Sequence, residues 1–149
     1  MRRPYSWAKV ERGDIISFRY KAKQGGTSTK RLFLVLEPKL KNKAKNPSTP
    51  FLMHGYQLED RNFPLVRGNA LLGLFKQVGL PVLVEEGVEK LIIEGRSPQV
   101  YSRTRQIVKQ YGIFRTFDFM RVRGSQVFQE PVKLSESIMK RLEKDMKSA

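Results

Sequence analysis

Apolar and polar residues alternate with two different periods along this chain, and each change of period marks a change of element. After Gly13-Asp14, the residues Ile16, Phe18 and Tyr20 alternate with polar neighbours, which predicts a strand over 14–20. Arg31-Leu32-Phe33-Leu34-Val35-Leu36 is a nearly continuous apolar run of strand length, and Gln24-Gly25-Gly26-Thr27 supplies turn residues between the two, so a hairpin is expected. Pro38 should end the second strand near 37. A third strand is predicted over 51–58, closed by Glu59-Asp60-Arg61-Asn62 before Pro64. The period then lengthens. Leu71, Leu72, Leu74, Phe75 and Val78 fit a helix over 66–78, although Gly68 and Gly73 each cost about 1 kcal/mol relative to Ala. A second short helix is expected over 85–94, with Val88, Leu91 and Ile92 inward and Gly95 as its stop. The clearest helix follows Ser97 as cap and Pro98 as first residue. It carries Val100, Tyr101, Thr104, Ile107, Val108 and Tyr111 on one stripe, ends at Gly112, and turns Arg103, Arg105, Lys109 and Gln110 outward.

Residues 114–123 alternate again and predict a long strand; Gly124-Ser125 turns the chain and 127–129 pairs back. A terminal helix over about 135–147 places Ile138, Leu142 and Met146 on one stripe among Lys140, Arg141, Lys144 and Lys147. No internal repeat interrupts this order. The expected architecture is α+β: a strongly curved antiparallel sheet or small barrel, built from strands near 14–20, 31–37, 51–58 and 114–123, packed with three or four short helices.

The strand over 114–123 carries the most chemistry. Alternation would put Arg115, Phe117, Phe119, Arg121 and Arg123 on one face and Phe114, Thr116, Met120 and Val122 on the other. A face of Arg and Phe suits single-stranded nucleic acid, where stacking contributes about 1 to 3 kcal/mol per base. The competing reading makes Phe117 and Phe119 core residues with arginines at their edge. The segment lacks the Lys/Arg-Gly-aromatic signature of an RRM.

Charge strengthens the nucleic-acid reading. The 149 residues contain 29 Lys and Arg against 14 Asp and Glu, a formal +15. Such an excess persists when something anionic meets it, and nucleic acid, DNA before RNA, is the expected partner. The cations cluster: Lys39, Lys41, Lys43 and Lys45 in a mobile basic loop over 39–50, and Arg2, Arg3, Lys9 and Arg12 beside Tyr5 and Trp7 in a basic arm over 1–12. Arg103 and Lys109 on the helix after Pro98 add a further basic surface. With 40% apolar and 29% charged residues, 1–149 is expected to form a single domain with an ordinary core.

Composition also excludes. Without cysteine there is no disulfide, thiolate nucleophile or cysteine-zinc site. No apolar run is long enough to span a bilayer, and Met1 to Trp7 is not followed by a signal-peptide core, so neither membrane nor export is expected. The only histidine, His54, with Glu59 and Asp60 nearby, could form a His-carboxylate pair; a structural or exposed His is favoured. Gly25-Gly26-Thr27-Ser28-Thr29-Lys30 lacks Walker spacing and reads as a hairpin turn. No catalytic residues, metal or cofactor are expected.

Residues 13–38, with Gly13-Asp14-Ile15-Ile16 and Lys30-Arg31-Leu32-Phe33-Leu34-Val35-Leu36, resemble the opening hairpin of small Src-homology-3-like barrels, including MazF-type toxin ribonucleases. In that family a proline follows the arginine of the second strand, where Leu32 stands here, so no catalytic residue carries over. More broadly, Gly13 to Tyr20, Leu34 to Leu36, Met53-His54-Gly55 and Phe114 to Phe117 resemble small basic proteins of tailed bacteriophages. That resemblance implies a viral origin and leaves the activity open. The function expected from charge and pattern together is nucleic-acid binding without catalysis, as a phage accessory factor in DNA metabolism, packaging or transcription, acting in the host cytoplasm or the virion. A structural or protein-binding phage component, either a virion part or a factor docking on an acidic host protein, is the first alternative, and a MazF-like ribonuclease the second.

Overall fold

A computed structural model describes residues 4–21, 26–47, 49–58, 68–123 and 125–148. Its elements, in chain order, are β1 (Pro4–Tyr5), a 3-10 turn (Trp7–Lys9), β2 (Asp14–Tyr20), β3 (Thr29–Lys41), β4 (Phe51–Leu58), α1 (Gly68–Gln77), β5 (Leu83–Glu85), β6 (Val88–Ile93), α2 (Pro98–Tyr111), β7 (Gly112–Asp118), α3 (Phe119–Arg123), β8 (Val127–Leu134) and α4 (Glu136–Ser148). The class is α+β. The strands join in the order β5-β6-β8-β2-β3-β4-β7, with β1 alongside β8.

Two expectations about the sheet are corrected. It is mixed rather than antiparallel, because β6 runs parallel to β8, pairing Leu91 with Val132 and Ile93 with Leu134. Among the described residues it also stays open, ending in β5 on one side and β7 on the other, so these strands close no barrel.

The sheet is buried on both faces, which is why β2 and β3 read as apolar runs rather than clean alternations. Ile15, Leu34, Leu36, Leu91, Val132 and Leu134 pack beneath α1, α2 and α4 through Leu71, Phe75, Ile107, Val108, Ile138 and Leu142. Ile16, Phe18, Phe33, Val35, Met53 and Phe117 form a second core on the other face, joined by Val122 of α3 and by Tyr5, Trp7 and Tyr20.

Four further elements differ from the sequence reading. Residues 85–94 form a hairpin, not a helix: Glu86 (φ 52°) and Gly87 (φ 75°) both take the left-handed conformation of a two-residue turn, and β5 pairs with β6 across it. The strand predicted over 114–123 stops at Asp118, whose carboxylate accepts the backbone N–H of Met120 (2.9 Å) and of Arg121 (3.4 Å) and so starts α3. The basic loop begins later than expected, because β3 continues through Pro38 to Lys41 with register shifts between Val35 and Glu37 and between Glu37 and Leu40; such irregularities tolerate a residue without an N–H. The short partner expected over 127–129 is the eight-residue β8, which borders β1, β2 and β6.

Two glycines hold this arrangement. Gly13 has φ 93°, donates to the Val35 carbonyl and accepts from Leu134 N–H, both at 2.9 Å, and a side chain there would strike the Leu134 carbonyl. Asp14 beside it is buried, accepting Glu11 N–H at 2.9 Å and the Tyr5 hydroxyl at 3.1 Å, which ties the N-terminal segment to the sheet. Burial and the Asp14 carboxylate together push the Tyr5 hydroxyl well above its ordinary pKa. At Gly55 a Cβ would meet the Phe33 ring at 2.7 Å, so the strand can carry no side chain where that ring lies.

Candidate nucleic-acid interface

The face opposite the three long helices is built around one ring. Phe117 lies edge-on to Phe18 (5.5 Å between centroids), Phe33 (5.2 Å) and Tyr20 (4.7 Å). β7 is three steps from β2 in the sheet, which at about 4.8 Å per step would set them about 14 Å apart in a flat sheet. Yet Asp118 N–H also donates to the Tyr20 hydroxyl at 3.3 Å.

Cations rim this aromatic core. The Arg115 and Arg31 guanidiniums lie 5.8 and 5.9 Å from the Phe117 centroid. Arg121 lies 5.0 Å from the Tyr20 centroid and donates to the Lys21 carbonyl. Lys39 Nζ lies 4.4 Å from Phe51 and 5.8 Å from Phe119, whose ring meets Trp7 edge-on at 4.9 Å. Each contact leaves a positive head over a ring, a placement worth about 0.5–1 kcal/mol at exposed sites.

The predicted residues divide accordingly. Arg115, Arg121 and Lys39 lie over rings of this face; Lys41, exposed at the end of β3, is the cross-strand partner of Phe51, and Arg123 is exposed on α3. Lys43 and Lys45 are exposed between β3 and β4. Arg103 and Lys109 belong to α2, which packs on the other side of the sheet, and do not join the group. Arg2 and Arg3 lie outside the described residues. Phe117 and Phe119 are corrected: at 2% and 5% exposure they are core, not a stacking surface, because Phe117 is enclosed by Phe18, Phe33 and Tyr20 while Phe119, the first residue of α3, packs edge-on against Trp7. The exposed ring is Phe114, on the opposite face.

Sequence reasoning missed Arg31 and Tyr20. Arg31 was absorbed into the apolar run that follows it, though it stands two residues before Phe33 and therefore shares its face. It also donates to Gln57 Oε1 at 3.2 Å. Nothing in the linear pattern marks Tyr20 as the partner of Arg121, a hundred positions away.

Acids are scarce on these strands. From β2 to β4 the described residues after Asp14 include one carboxylate, Glu37, whose cross-strand partner is His54; β7 and α3 add only Asp118, engaged at the start of α3. Carboxylates elsewhere hold the frame together. Glu136 and Glu143 grip Arg12 at 2.8 and 2.6 Å, Asp145 meets Arg105 at 2.8 Å, and Glu89 meets Lys76 at 2.6 Å. Burial opposes the Arg12 charge, but its hydrogen bonds to Glu143 and Glu136 outweigh it and raise the guanidinium pKa. Burial and the hydrogen bond to Asp145 push the Tyr101 hydroxyl up to about 12.

His54 has a structural setting. Its ring stacks on Phe114 (5.7 Å, 7° between planes), and Nδ1 is 2.7 Å from Thr116 Oγ1. Burial lowers its pKa, against a smaller opposing pull from Glu37. Glu59 and Asp60, the acids suggested as its partners, lie outside the described residues. Among the described residues no His, Cys, Asp or Glu group of three or more gathers as a metal site. No known protein family, curated protein or solved structure matches this chain.

Proposed function

We propose that this protein binds nucleic acid without catalysing a reaction on it, and that the rim formed by Lys39, Lys41, Arg115, Arg121 and Arg123 contacts phosphates. One observation carries the reading: Lys39, Arg115 and Arg121 come from β3, β7 and α3 to lie over rings of one face, on strands that present few carboxylates. Phosphate contact requires cations held close together and left accessible. Because the rings beneath them are buried, the mode is backbone contact rather than base stacking, which favours DNA duplex over splayed single strands. We further infer that the sheet is strongly curved about Phe117, as in a small Src-homology-3-like barrel left open, since that curvature brings β7 to Tyr20. A phage accessory factor acting in the host cytoplasm or virion is the biological setting that fits this reading.

The test is a gel-shift salt titration with duplex and single-stranded DNA and with RNA. Neutralising about six phosphates on duplex DNA gives a slope near −5 for log K against log[salt]. No binding at low ionic strength, or a flat salt response, would refute the proposal. Capture of an acidic host or virion protein insensitive to nuclease would support the structural alternative, and RNA cleavage abolished by His54→Ala would support a ribonuclease.

A further inference from the structure

The sheet ends in two unlike edges. At one end, among the described residues, β5 pairs only with β6, and their hairpin stands away from the core: every residue from Leu83 to Glu89 is exposed, Val84 at 67%. At the other end, among the described residues, β7 pairs only with β4 and exposes Ile113 (48%) and Phe114 (43%). Of the large apolar residues exposed among those described, all but Met120 lie on these two edge segments. Unpaired strand edges with apolar side chains invite another strand, and natural proteins usually blunt them.

Their charges are opposite. Glu85 and Glu86 make the tip of the hairpin acidic, Glu89 is held by Lys76, and Lys90 is the single cation between Leu83 and Glu94. Arg115 stands on β7 beside Phe114, and among described residues β7 has no carboxylate before Asp118. Pairing like edges would oppose carboxylate to carboxylate or arginine to arginine; pairing unlike edges matches charge and covers apolar surface on both sides.

We infer that a second copy of this chain docks its β5–β6 hairpin edge against β7, giving a head-to-tail association. Such an interface is heterologous: each copy uses one edge and leaves the other free, so copies add in series or close into a ring. Association requires no nucleic acid, and nuclease-treated protein is the material to test.

Sedimentation velocity over a concentration series, at moderate and raised salt, reads the association. The weight-average mass of the wild type should rise with concentration and fall with salt. Val84→Lys blocks the hairpin edge, and Phe114→Glu blocks β7, with Ile113→Glu as a second β7 variant should the loss of Phe114 from His54 impair folding, which circular dichroism reports. Each variant alone should associate about tenfold more weakly or not at all. An equimolar mixture of a hairpin variant and a β7 variant should form a dimer and stop there, since one intact edge of each kind remains. A wild type that stays monomeric at every concentration overturns the inference. So does a folded single-edge variant that self-associates as tightly as the wild type, which would mean like edges pair, and so does a mixture that fails to combine although both variants are folded.

Discussion

The two ends of the sheet carry similar apolar content and treat it in opposite ways. From β2 across β3 and β4 to β7 the rings of Phe18, Phe33 and Phe117 are enclosed and the cations sit on their rim. At the β5–β6 end Leu83, Val84 and Val88 stand in solvent among carboxylates. The difference lies in the cover each end receives. Asp118 turns the chain into α3, which lays Val122 over the second core, while among the described residues nothing covers Leu83, Val84 and Val88 on either side of the turn at Glu86-Gly87. An apolar strand residue becomes core or interface according to what later sequence folds over it.

The sharpest way to break the comparison is to truncate one side chain at each end. Phe117→Ala should cost about 3–5 kcal/mol, since it empties the centre of the aromatic cluster. Val84→Ala should move stability by no more than about 0.5 kcal/mol. Urea denaturation of both variants checks this, and equal losses would mean the hairpin is packed.

Charge reversal tests the rim. The double variant Lys39→Glu, Arg115→Glu should bind duplex DNA about tenfold or more weakly and flatten the salt slope by about 0.9 for every phosphate no longer neutralised. Glu85→Lys, Glu86→Lys at the far end should not weaken binding. Parallel gel-shift titrations distinguish a local rim from a diffuse field.

The smallest effect concerns acid. The hydrogen bond and attraction of Lys133 hold the Glu11 carboxyl below its ordinary pKa, with burial pulling weakly the other way. A carboxyl with a lowered folded pKa adds stability above its unfolded value and loses it as pH falls through the folded value. Thermal melts should therefore show the gap between wild type and Glu11→Gln narrowing as pH drops through the acidic carboxylate range, whereas a gap that widens would contradict the pairing.

Much of the fold was legible from pattern. The spacing of Leu71, Leu72 and Phe75, the cap region at Ser97-Pro98 and the runs in β2, β3 and β4 all mark elements that form. Residues 85–94 misled because Val88, Leu91 and Ile92 satisfy a helical period over so short a stretch, while the decisive feature was the left-handed pair Glu86-Gly87. Residues 114–123 misled because alternation continues through Asp118, where a side-chain hydrogen bond to the backbone outcompetes the ladder.

The amino-acid order by itself determined the surplus of positive charge, the absence of cysteine chemistry and the local preferences that set most elements, because these depend on composition and on neighbours a few residues apart. Tertiary structure alone decided that Phe117 is core while Phe114 is exposed, that Arg115, Arg121 and Lys39 share a face while Arg103 and Lys109 do not, and that β6 aligns with β8. Those outcomes depend on which distant segments meet, and burial and charge proximity are properties of such meetings rather than of any stretch of chain.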